Sequence, residues 1–132
     1  MLDYLLNRYV LIMAGGALGS VCRYMVQGWA QKAVSGPFPL GTLIVNVIGC
    51  FLIGVLNMLF TGPLPIRPEI RVGLLVGVLG GFTTFSSFGW ETFALSNEGQ
   101  SFGAVLNVVL SLTLGLAAVW SGYRLAERLY GV

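Results

Sequence analysis

Long apolar runs dominate the chain, and short polar or proline-rich interruptions divide them into four. The first run extends from about Tyr9 to Ala30, the second from about Leu40 to Phe60, the third from about Ile70 to Leu95 and the fourth from about Phe102 to Tyr123. Each approaches or exceeds the roughly 20 mainly apolar residues that a helix needs to cross a bilayer. Ser35-Gly36-Pro37-Phe38-Pro39 ends the first run, and Thr61-Gly62-Pro63-Leu64-Pro65-Ile66-Arg67-Pro68 ends the second, because prolines in a row of this kind cannot continue a helix. Ser96-Asn97-Glu98-Gly99-Gln100 forms a polar third connection. Arg8 and Tyr9, Trp29 and Lys32, and the closing Arg124, Glu127 and Arg128 stand where headgroup-level anchors belong. The pattern predicts an all-α integral membrane protein. Residues 1–132 form one domain of four transmembrane helices, with the third helix broken midway.

The reason for expecting a break lies in the third run. Gly73, Gly77 and Gly81 recur every four residues and form a smooth stripe that lets another helix approach closely. Packing accounts for that stripe. It does not account for Gly80-Gly81-Phe82-Thr83-Thr84-Phe85-Ser86-Ser87-Phe88-Gly89, which is poor in aliphatic residues and rich in hydroxyls. Adjacent glycines with hydroxyls favour an unwound stretch. Irregular backbone at membrane depth is tolerated only where protein buries it or where it lines a cavity. Freed carbonyls at such a break suit a cation, and the start of the following half-helix suits an anion. Phe82, Phe85 and Phe88, spaced three apart, are either a packing stripe or ring edges able to face a small anion.

Polar residues in the other runs each admit two readings. Arg23 lies deep in the first run, where a charge is expensive. It is either a group near an aqueous vestibule that draws anions or locks structure, or it snorkels toward Trp29. Asn46, nearly in line with Thr42 and Asn57 on the second run, either bonds to another helix or donates to an ion in a polar pathway. Asn107 and Ser111, one turn apart on the fourth run, either extend such a track or tie helices together.

Composition narrows the function. Only 9% of the 132 residues are charged, against about 25% in ordinary soluble domains. The net charge of +2 contains no basic run that would suit nucleic acid. With no histidine and only Cys22 and Cys50, both within apolar runs, a zinc site and the usual nucleophile–base pairs are missing. The chain therefore does not read as an enzyme, and the two thiols read as small apolar side chains. Asp3 and Arg8 flank the N-terminus and no cleavage signature follows, so the first helix is expected to be retained. Arg8, Arg67, Arg71, Arg124 and Arg128 share one side and Lys32 alone holds the other, which predicts cytoplasmic termini.

Three ordered motifs carry a resemblance that covers nearly the whole chain. They are Gly15-Gly16-Ala17-Leu18-Gly19-Ser20-Val21-Cys22-Arg23-Tyr24, Pro39-Leu40-Gly41-Thr42-Leu43-Ile44-Val45-Asn46-Val47-Ile48-Gly49 and, most specific, Gly80 to Phe88. The chain resembles the bacterial fluoride channels known as Fluc, CrcB or camphor-resistance proteins. The resemblance implies an antiparallel homodimer in the bacterial plasma (inner) membrane, with two fluoride pores each built from both subunits. It implies that passive export of cytoplasmic fluoride relieves its toxicity. By motif position, Phe82, Phe85 and Asn46 line the pore, Thr84 and Ser86 supply hydroxyls, and Ser111 is the best candidate on the fourth helix. Arg23 matches the vestibule arginine. A structural sodium ion is implied on the two-fold axis, held by the backbone carbonyls of Gly80 and Thr83. The charge bias of five against one, or five against two if Arg23 counts with Lys32, departs from this picture, since insertion in both orientations favours a weak bias. Two other functions compete. A small proton-coupled multidrug exporter would place an acid in an early span, and the first two spans hold none. A non-transporting membrane assembly subunit would use the glycines for packing alone.

Overall fold

The computed structural model describes residues 2–131, with side chains from residue 7 onward. The Asp3 side chain, placed above at the flank of the first span, lies outside the described residues. Helix α1 covers Leu2–Gln31 and α2 covers Leu40–Thr61. The third span is composite: α3 (Pro68–Val72), a wide π-helical segment (Gly73–Leu79), α4 (Gly80–Phe82) and α5 (Phe85–Asn97). Helix α6 covers Ser101–Tyr130. Four helical segments are thus long and apolar enough to cross a membrane, and no strand occurs among the described residues.

Local chemistry sets these boundaries. Gln31, at the end of α1, donates from Nε2 to the Phe38 carbonyl at 3.0 Å and accepts the Gly41 N–H at 3.2 Å. One side chain therefore closes the connection and satisfies an amide in the first turn of α2 that has no helical partner. Pro68 starts α3 within its first turn, where its missing N–H costs nothing. Helix α6 runs seven residues beyond Tyr123, and Arg124 donates to Glu127 at 2.6 Å in this extension. An exposed pair of this kind suits a helix emerging into headgroups and water.

The helices pack as two parallel pairs. Along α1 and the third span, Ile12 and Gly15 meet Gly77, and Gly16 meets Gly81, so the two chains advance together. Along α2 and α6, Cys50 lies beside Gly115, and Gly54 lies against Val119 and Tyr123. Few large side chains fill the interior; most buried apolar positions are alanines and glycines, with Val45, Leu79, Phe82 and Leu95 among the larger. Lipid tails are as apolar as leucine, so close backbone approach rather than water exclusion holds such helices together. The big rings point outward: Trp29, Trp90, Trp120, Phe85 and Phe102 are all exposed.

Candidate functional site

The break in the third span is shorter than its glycines suggest. Gly80 and Gly81 stay helical, and only Thr83 (φ −82°, ψ 159°) and Thr84 (φ −151°, ψ 114°) are extended. The physical reason is in the threonines: β-branched residues accept extended backbone readily, and Thr84 is a good N-cap. Its Oγ1 accepts the Ser87 N–H at 3.2 Å, which starts α5. The change of direction falls on the hydroxyl residues, which specify where it happens.

Asn46 on α2 holds the break in place. Its Nδ2 donates to the Thr84 carbonyl at 3.0 Å, and its Oδ1 accepts the Thr84 N–H at 2.8 Å. Both polar groups of the extended residue are thereby satisfied by one amide. The bond from Asn46 to another helix is observed, and the same side chain also lines the cavity beside the break. One turn further, Gly49 leaves room for the Thr83 methyl group, which a Cβ there would overlap. Arg23 reaches the same place from α1: NH1 donates to the Thr83 carbonyl at 3.5 Å. It therefore points at the break rather than toward Trp29.

These diversions release backbone acceptors. In an unbroken helix Thr84 N–H would pair with Gly80 and Ser87 N–H with Thr83. Asn46 and the Thr84 hydroxyl take those two donors instead.

A cavity of about 330 Å³ lies beside the break, lined by Asn46, Cys50, Thr84, Phe85, Phe88 and Ser111 among others. The Phe85 and Phe88 rings stand 5.4 Å apart, tilted by 46°. Ser111 Oγ is buried and has no hydrogen-bond partner among the described residues. A larger cleft of about 820 Å³, lined by Gln27, Lys32, Thr42, Ser87 and Glu91 among others, lies on the other side of the Thr84–Ser87 contact. Thr84 Oγ1 donates to Ser87 Oγ at 3.0 Å, so hydroxyls connect the two spaces. Within the cleft Gln27 Nε2 donates to Thr42 Oγ1 at 2.9 Å, and Thr42 donates to Glu91 Oε1 at 2.7 Å.

Several expected residues stand outside this cavity. Phe82 is buried between α1 and α2 and is not part of the cavity wall; Phe88 takes its place beside Phe85. Regular three-residue spacing hides this, because the extended pair Thr83–Thr84 resets the helical phase between Phe82 and Phe85. Ser86 is exposed, and its hydroxyl meets the Thr84 hydroxyl at 3.3 Å. Asn57 is remote from the site: it donates to the Ile53 carbonyl and accepts from Arg71 at 3.4 Å. Asn107 donates to Thr92 rather than facing the cavity with Ser111. Phe88, offered with Phe82 and Phe85 as a ring edge but left out of the motif-based set, and Cys50, read only as a small apolar side chain, carried one available signal: each shares a helical face with an assigned neighbour, Phe85 three residues before and Asn46 four residues before.

Residues 10–123 match the family described as CrcB-like protein, camphor resistance. A protein of Solibacter usitatus named fluoride-specific ion channel FluC is 49% identical, over 92% of this chain and 99% of its own length. Proteins of the same name from Thermus thermophilus and Rhizobium meliloti are 48% and 45% identical, over 95% and 94% of this chain and 98% and 99% of their own lengths. With four apolar helices, a pinned helix break and this similarity along most of its length, the chain is a multi-pass membrane protein and belongs to the CrcB-like, camphor-resistance family.

Proposed function

We propose that the protein is a passive, fluoride-selective channel that lets cytoplasmic fluoride leave down its electrochemical gradient. The observation that carries this reading is the Asn46 clamp on Thr84, which keeps a polar break open beside a cavity walled by two rings and a free serine hydroxyl. Fluoride is small and strongly hydrated, so a pore must replace its water with donors. Hydroxyls and positive ring edges do this without a fixed cation that would trap the ion. The names of the relatives point the same way.

The active unit in this reading is an antiparallel homodimer with the break at mid-membrane. Phe85 supports it: at 81% exposed, this ring borders the cavity yet has one face uncovered in a single subunit. A second copy would close the wall. The pore set becomes Phe85, Phe88, Asn46, Thr84 and Ser111, with Arg23 steering anions to the entrance. Phe85→Ile and Phe88→Ile are each expected to slow fluoride efflux from proteoliposomes about tenfold, a loss of about 1.4 kcal/mol of ring-edge stabilisation in the barrier. Phe82→Ile is expected to lower thermal stability while leaving a larger share of the efflux. A fluoride electrode and a thermal scan on the three variants separate pore wall from core.

A structural sodium ion fits the residues present. Gly80 and Thr83 carbonyls lose their helical donors at the break, and unwound carbonyls are the ligands that sodium takes at such sites; the Thr83 carbonyl accepts Arg23 NH1 at 3.5 Å and keeps a second lone pair for the ion. A Cβ on Gly80 would meet nothing within 4 Å, so that side of the break is open to a symmetry-related subunit. Bound there, sodium would take the oxygen ligands that the helix no longer uses and tie two breaks together. Exchanging sodium for N-methylglucamine throughout purification is expected to lower the melting temperature of the dimer, and restoring sodium to recover it.

The deciding experiment loads purified protein into vesicles and follows fluoride and chloride with ion electrodes. Release of fluoride without chloride supports the channel. Absence of fluoride release from the unmodified protein removes it.

A further inference from the structure

We propose that Asn107 is a positioning residue for the Phe88 ring, acting through Thr92; this rests on the channel reading above. The observations form a chain of three polar groups between α6 and α5. Asn107 Nδ2 donates to Thr92 Oγ1 at 2.8 Å, and Thr92 Oγ1 donates to the Phe88 carbonyl at 2.7 Å. Asn107 is 1% exposed, with Val45 one of the two largest fully buried side chains among the described residues. Its place is therefore fixed by packing on every side, and its donor has one acceptor.

The direction of the chain matters. The Thr92 hydroxyl has a single hydrogen. Because Asn107 supplies a donor to the hydroxyl oxygen, that hydrogen is left to point at Phe88. A threonine inside a helix that donates to the carbonyl four residues back loosens the regular ladder and bends the helix locally. In low dielectric, successive bonds of this kind also strengthen one another. Holding the Phe88 carbonyl sets the tilt of that peptide within α5, and with it the direction of the Cα–Cβ bond from which the ring projects. That ring is the one that meets Phe85 at 5.4 Å in the cavity wall. Ser111, one turn beyond Asn107 on the same helix, faces the same cavity. Thus α6 contributes Ser111 and Leu112 to the wall and, one turn before Ser111, the residue that sets the ring opposite. Asn107 never touches the ion in this arrangement.

The test combines flux with a direct probe of the ring. 4-Fluorophenylalanine placed at position 88 reports the ring environment through its ¹⁹F resonance in the purified full-length protein. Asn107→Leu removes the donor at similar volume, and Thr92→Val removes the hydroxyl at similar shape. Each is expected to move or broaden the ¹⁹F resonance and to slow fluoride efflux about tenfold, the equivalent of about 1.4 kcal/mol in the barrier. The double variant should lose no more than either single one, since both break the same chain. Thr92→Ser keeps the hydroxyl and should retain the resonance and most of the flux. Thr113→Val removes an exposed hydroxyl of α6 that bonds only to the Val109 carbonyl, and should change neither. The proposal is overturned if Asn107→Leu and Thr92→Val leave the resonance where it was, whatever happens to stability. If Asn107→Leu does not purify, Thr92→Val against Thr92→Ser decides alone. Loss of flux in the unmodified protein would instead strike the channel reading, and the ¹⁹F comparison would still judge the Asn107 chain.

Discussion

Asn46→Asp is expected to reduce fluoride efflux at least about a hundredfold while leaving the helices folded. The carboxylate keeps the shape of the amide and still accepts the Thr84 N–H, now bonded at 2.8 Å. It cannot donate to the Thr84 carbonyl, where Nδ2 now donates at 3.0 Å, so oxygen faces oxygen. A negative charge is also added to the wall of a cavity read as an anion path. Two like charges about 6 Å apart repel by about 3 kcal/mol at an effective dielectric of about 20, which alone slows passage by about a hundredfold. Asn46→Leu separates the two effects. It adds no charge but leaves both polar groups of the Thr84 peptide without the side chain that satisfies them, at about 1–3 kcal/mol each. Both variants should therefore lose stability, the leucine variant through two unsatisfied groups and the aspartate variant through one and its charge, while the larger loss of flux belongs to aspartate. Parallel thermal scans and fluoride-electrode traces on the two variants check the pair. Wild-type flux in both would remove Asn46 from the pathway and with it the proposed mechanism.

The spans were legible because hydrocarbon imposes a simple rule on a sequence: long apolar runs, with prolines and polar clusters between them. The break was legible in kind, since no packing argument explains Thr83, Thr84, Ser86 and Ser87 behind two glycines. Its position was not. The glycines drew attention upstream, whereas the break sits where Thr84 can cap α5 and where Asn46 can reach it, and the second condition depends on how α2 lies against the third span. The same cause governs where the phenylalanines stand. A three-residue spacing implies one helical face only while the helix is continuous, and two extended residues put Phe82 in the core and Phe85 at the cavity. The π-helical segment Gly73–Leu79 left no mark that periodicity could read. Its widened turns lie along the contact with α1, where the glycine stripe had been explained by packing alone. Arg23 shows the opposite case. Sequence left its two readings equal because a long side chain reaches either way, and only the position of the Thr83 carbonyl decides between them.

Gly15→Ala is expected to be among the most damaging single-atom additions in the protein, because of what lies opposite. A Cβ at Gly15 would stand 2.6 Å from the Gly73 carbonyl oxygen, 3.0 Å from the Val78 nitrogen and 3.2 Å from the Gly77 Cα. All three are backbone atoms, so no rotamer change relieves the overlap; α1 or the π-helical segment must move. Overpacking of this kind costs about 1–3 kcal/mol, more than the roughly 1 kcal/mol that alanine gains over glycine in helix propensity. The neighbouring Gly16 provides the control. A Cβ there meets only the Gly77 carbonyl oxygen, at 4.0 Å, so Gly16→Ala should be neutral or slightly stabilising. The functional consequence follows from which helices carry the site. Helix α1 positions the third span through this crossing and through Arg23, while Asn46 waits on α2 at a fixed place. Displacing α1 from the π-helical segment shifts Thr84 relative to Asn46, and a hydrogen bond weakens steeply once its geometry is lost. Gly15→Ala should therefore lower the melting temperature and cut fluoride efflux together, while Gly16→Ala does neither; equal behaviour of the two variants would mean that this crossing does not set the break.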